Sequence, residues 1–222
     1  LSKNHGYNNT YTHRAFSFES ALLDAMMKIE EGSENILVGA VDEITDSSYI
    51  IQQRLGLLKG IQAGEGAQFF LLSREAGSHP LAEIRGVETY TGKQTTEEIS
   101  SRISRFLQRY GLETQDIHWL ITGKTGPTDK TDAVIREENG FPVQDGSIKG
   151  ENEIYKKLET ELFPNSLSLS FKDECGEYPT ASSYAVWKAV KELASCNDTV
   201  NLLIYNHHHS INHSLMLIRK SV

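Results

Sequence analysis

Two periods of apolar and polar positions run through this chain, and the first clear block sets the pattern. Within Phe16–Glu43, Ala21, Leu22, Ala25, Met26 and Ile29 fall on one stripe of an amphipathic helix. Ser17 reads as its N-cap, with a hydroxyl suited to an orphan amide of the first turn. Gly32 suits the left-handed position that ends a helix, and Ile36–Val41 follows as a short buried strand.

Downstream, Tyr49–Leu58 reads as a short helix and Gly60–Gly66 as a loop. Ala67–Arg74 is a continuous apolar run, which predicts a central strand with both faces covered. Leu81–Tyr90 alternates and is expected to pair with it. Thr95 or Thr96 then caps a helix with Glu97 and Glu98 in its first turn and Arg109 near its last, an order that suits the helix dipole. Ile99, Ile103, Phe106 and Leu107 form its buried face, and Gly111 ends it. Asp116–Thr122 is a strand, Gly123–Asp129 a Gly-rich loop and Asp129–Gly150 an irregular insertion. A helix over Glu151–Leu162 and a strand over Leu167–Phe171 follow. The helix Thr180–Ala194 is expected to bury Ala181, Tyr184, Ala185, Trp187 and Val190. Strands Val200–Tyr205 and Ser214–Arg219 flank the loop NHHHSINH. Strands alternating with helices predict an α/β layered domain.

Composition narrows the function classes. The chain has 222 residues, enough for one large domain or two small ones. With 38% hydrophobic residues it lacks any apolar run of membrane-spanning length, and its net charge of −8 argues against nucleic acid as a partner. Cys175 and Cys196 have no metal spacing, which points to free thiols in a reducing, cytoplasmic setting. The polar stretch Leu1–Arg14 reads as a lead-in loop, and a first residue other than Met suggests a piece of a longer polypeptide. His207, His208, His209 and His213 admit a metal reading, since residues 207 and 209 share a face of an extended segment. The competing reading has them line a pocket or bond to backbone. The GKTG at Gly123–Gly126 lacks the full phosphate-loop spacing.

The order of motifs resembles the β-ketoacyl-acyl carrier protein synthases, the ketosynthases of the thiolase fold. FSFESALLDAMMKIEEGSENILVGAVDE is similar to the family's nucleophile helix and the acidic strand after it. GEGAQFFLLSRE is similar to its GEGA strand, and LLIYNHHHSINHSLMLIR to its terminal hairpin. The wording is closest to divergent ketosynthase-like proteins of bacterial aryl-polyene or flexirubin-type pigment clusters. The resemblance implies a thiolase-like layered fold of mixed sheets with helices between and outside. It covers only the later part of the family's length, so the N-terminal half is expected to be incomplete: residues 1–92 would be its remainder, and 93–222 the C-terminal half.

The resemblance also implies a chemistry and where it would sit. The family carries its acyl chain on a cysteine at a strained turn before a helix N-terminus. Two histidines hydrogen-bond the thioester oxygen and assist decarboxylation of malonyl-carrier protein. Counted without gaps, the cysteine position falls on Ala15, the first histidine on Thr122 and the second on Glu177, while the family lysine is retained as Lys172. Lys172 is expected to pair with Glu177 across the turn. Phe16, Ser17, Gly123, Cys175, Asn206, His207 and His209 are the pocket candidates. Three replaced positions predict a subunit of fatty acid or polyketide assembly without condensing activity, acting like a chain-length factor. The alternatives are an active 3-oxoacyl-carrier protein synthase or other acyltransferase that uses Ser17 or Cys175, and a binding module built on the histidines. Implied partners are acyl carrier protein with its acyl thioester, in a homodimer or a heterodimer with an active ketosynthase. No cofactor, metal, nucleic acid or membrane is implied.

Overall fold

The computed structural model describes residues 6–58, 61–75, 80–125, 147–208 and 210–220. Up to residue 146, the predicted insertion lies outside the described residues, as does His209.

Helix α1 (Ser17–Glu30) leads into strand β1 (Asn35–Asp42), helix α2 (Asp46–Arg54) and strand β2 (Gly66–Ser73). Strand β3 (Ala82–Thr91), helix α3 (Thr96–Gln108) and strand β4 (Trp119–Thr122) follow. Next come helix α4 (Ser147–Lys157), strand β5 (Leu167–Ser170) and the single turn α5 (Lys172–Cys175). Helix α6 (Ala181–Ala194) and the hairpin of β6 (Asn201–His208) and β7 (Asn212–Lys220) complete the described chain.

Two sheets result: an antiparallel pair β1–β2, and a five-stranded mixed sheet in the order β3-β7-β6-β4-β5. Strand β4 runs parallel to both β5 and β6, and β7 antiparallel to β6 and β3. Helices α1 and α6 lie between the two sheets, where Leu22, Ala25, Ala185 and Ala189 meet Val38, Ala40, Leu202 and Ile204. The opposite face of the large sheet offers Leu203, Tyr205, Leu215 and Leu217 to α3 and α4. Alternate residues of β6 thus serve two cores, the strand period of two at work.

Several expectations change. The continuous run in β2 buries only one face: Phe69 and Leu71 are 60% and 70% exposed. Strand β3 pairs with β7 and not with β2, so a strand from residues 1–92 joins the sheet of residues 93–222. Local alternation shows that a strand has two faces; it does not choose the partner. Ser17 is not the N-cap. Phe16 takes that position, and the Ser17 hydroxyl donates to the Arg14 carbonyl at 2.8 Å. On α6, Trp187 points outward, and Ser182, Ser183, Val186 and Lys188 are buried in its place. Most of the predicted NHHHSINH loop is hairpin, with His207 opposite His213. By contrast, Thr95 caps α3 in a reciprocal capping box with Glu98, and Gly32 (φ +107°) ends α1, as expected.

Candidate functional site

The C-terminal ends of β4, β5 and β6 gather the polar groups, as the crevice rule for parallel strands predicts. Thr122 ends β4 fully buried, its hydroxyl donating to the Leu169 carbonyl at 3.5 Å. Gly123 comes next, and a side chain here would displace its neighbours. A Cβ at this position would stand 2.2 Å from Asn206 Oδ1 and 2.8 Å from the Tyr155 hydroxyl.

Lys172 opens α5 just after β5, with its side chain 2% exposed. Its ammonium pairs with Glu177 Oε2 at 2.6 Å and donates to the His207 carbonyl at 3.2 Å. His208 Nδ1 lies 3.3 Å from the other oxygen of Glu177. Burial works against the Glu177 charge, but Lys172 and His208 outweigh it and pull its pKa down to about 2. Backbone fixes this turn as well. The Glu177 amide donates to the Gln62 carbonyl at 2.8 Å, and its carbonyl accepts from Gly64 at 3.0 Å.

On the β6 side, the His207 amide donates to the Tyr155 hydroxyl at 3.0 Å, and the His207 ring stacks on Tyr155 with centroids 4.5 Å apart. His213 is fully buried, 2.9 Å from the Tyr205 hydroxyl through Nδ1 and 3.1 Å from the Gly92 carbonyl through Nε2. The carbonyl can only accept, so Nε2 carries the proton and Nδ1 accepts from Tyr205. Burial lowers the His213 pKa. Among the described residues, no group of three His, Cys, Asp or Glu is arranged to hold a metal ion.

The third corner is the turn before α1. Residues 14–16 form one 3-10 turn in which Arg14 adopts φ 51°, a costly conformation for a side-chain-bearing residue. Ala15 is buried inside this turn, which lies against β7. One helical turn further on, Glu19 shares its face and is completely buried. Its carboxyl group lies beside Ser182 and Ser214 and within electrostatic reach of Lys172. Neither oxygen makes a well-formed hydrogen bond among the described residues. Burial therefore dominates and raises its pKa to about 7.

The structure brings Gly123, Lys172, Glu177, Asn206 and His207 together; Ala15 lies in the turn before α1, which packs against β7. Phe16 and Ser17 are half-buried beside it. Cys175 is half-buried, and burial pushes its thiol up to about 12, so it is no ready nucleophile. Sequence reasoning missed Tyr155 and Glu19. Glu19 left a signal, an acid on the same stripe as Leu22; Tyr155 reaches the site from α4 with no local mark.

No family model and no curated protein matches the chain. Solved structures do. A type II polyketide ketosynthase in complex with its acyl-carrier protein (AntDE:AntF) superposes with TM-score 0.66 at 14% identity, over 97% of this chain and 60% of that one. The chain has the thiolase-like fold of the ketosynthases. The ishigamide ketosynthase/chain length factor gives TM-score 0.66 at 17% identity, over 94% of this chain and 55% of that one. A ketosynthase from module 6 of the bacillaene synthase of Bacillus subtilis 168 gives 0.67 at 14% identity, over 94% and 46%. The chain thus spans about half the length of these ketosynthase-fold chains. Among the described residues, no helix is long and apolar enough to cross a membrane.

Proposed function

We propose that this chain is a cytoplasmic ketosynthase-like subunit of fatty acid or polyketide-type assembly, of the divergent branch found with bacterial pigment clusters. It lacks condensing activity and acts like a chain-length factor beside an active ketosynthase, helping to receive an acyl chain held on acyl carrier protein. The observation that carries this reading is the Lys172–Glu177 ion pair at 2.6 Å. An ionised carboxylate occupies the position the resemblance gives to a histidine, and a carboxylate accepts hydrogen bonds where a thioester oxyanion needs donors. Ala15, at the nucleophile position, offers no group to acylate.

Neither alternative nucleophile gains support. The Ser17 hydroxyl is committed to the Arg14 carbonyl, and the Cys175 thiol stays protonated. Incubation with malonyl- and acyl-carrier protein, read by intact-mass spectrometry, is expected to give no covalent acyl adduct and no loss of carbon dioxide. Either product would overturn the proposal.

A further inference from the structure

At the β3 edge of the large sheet, the edge opposite β5, three arginines share one groove. Arg102, Arg105 and Arg109 recur three and four residues apart on α3 and its C-cap, which places them on one helix face. Glu88 and Tyr90, two residues apart on β3, face that helix. The half-buried Glu88 carboxylate holds two of the arginines. Arg102 Nε lies 2.7 Å from its Oε1, and Arg109 Nη2 bonds to its Oε2. Arg102 also lies over the Tyr90 ring, 4.1 Å from the centroid, and Arg109 over Phe106 at 5.3 Å. Arg105 Nε donates to the Ser101 carbonyl at 3.4 Å.

These contacts fix the guanidinium planes and leave hydrogen-bonding capacity over. Among the described residues, the terminal nitrogens of Arg102 and Arg105 make no hydrogen bond, and no acid pairs with Arg105. Glu88 offsets one charge, so two of the three positive charges stay uncompensated, on a chain whose net charge is −8. Like charges crowded in one cleft repel each other, and such a cleft concentrates anions from solution. Guanidinium groups held in plane suit an oxyanion with several acceptor oxygens. The groove, completed by Phe106 and Gln108, has a volume of about 730 Å³, room for a small molecule.

We propose that this groove binds a phosphate dianion, free or as the monoester of a small molecule. Its oxygens accept from the terminal nitrogens of Arg102 and Arg105, and its charge matches the positive charge that Glu88 leaves over. A lone carboxylate brings one charge and two oxygens, and fits less well.

The test titrates inorganic phosphate and phenyl phosphate into the 222-residue chain by calorimetry at fixed ionic strength, with chloride and succinate as controls. Phenyl phosphate is expected to bind about tenfold more weakly at pH 5 than at pH 7, because its second proton returns near pH 6. Arg105→Ala, at an exposed position, is expected to weaken both phosphates by about tenfold and leave the melting temperature unchanged. Tighter binding of phenyl phosphate assigns the groove to a monoester; equal or tighter binding of inorganic phosphate assigns it to the free ion. Succinate bound as tightly as phosphate, no heat beyond that of chloride, or an affinity indifferent to Arg105→Ala would each overturn the proposal.

Discussion

Helix α1 with β1 and β2, and helix α6 with β6 and β7, are built alike and live in different surroundings. In the second unit both strands are buried on two faces, and Leu202, Leu203, Leu217 and Ile218 are fully enclosed. In the first, Val38 and Ala40 are buried while Leu37 and Val41 on the same strand stay exposed. Their acids differ in the same way. Glu19 of α1 is buried without a well-formed partner and holds its proton near neutrality. Glu177, in the turn leading to α6, is paired and remains ionised far into acid. Burial alone raises a carboxyl pKa; a placed cation reverses the effect.

That contrast can be tested by breaking it. Lys172→Met leaves Glu177 charged and enclosed, and is expected to cost about 3–5 kcal/mol in urea unfolding. Adding Glu177→Gln should recover much of the loss, since the uncompensated charge is then gone. A double mutant no more stable than Lys172→Met would mean that Glu177 is not the partner that matters.

Next in size is the packing contrast. Leu203→Ala on β6 is expected to cost about 2–5 kcal/mol, because it opens a cavity in an enclosed layer. Leu71→Ala on the open face of β2 should stay within about 0.5 kcal/mol in the 222-residue chain. Equal losses would show that the two units are packed alike.

Smallest is the pH contrast. The Glu19 pKa of about 7 stands above its ordinary 4.5, so between these values the native state binds more protons than the unfolded one. Its share of stability is present below 4.5 and lost as pH rises through about 7. Glu19→Gln is therefore expected to gain up to about 3 kcal/mol at alkaline pH and little in acid. Glu177 runs the other way, its contribution present above 4.5 and lost toward pH 2. Thermal melts across pH would separate the two; a Glu19→Gln effect flat with pH would refute the assignment.

Much of this was legible in the residues. The stripe through Leu22, Ala25 and Ile29, the Thr95 cap and the Gly32 stop follow from local sterics and hydrogen bonding, which a short window of sequence contains. The Lys172–Glu177 pair was legible too, because five residues and one tight turn connect them. Partner choice was not. Strand β3 left β2 for β7, Trp187 turned outward, and Glu19 met Ser182 and Ser214, each decided by contacts distant in sequence. The sequence by itself determined which segments become helices and strands. Tertiary structure decided which faces are covered and which acids keep their charge, because burial and field depend on neighbours that no local pattern names.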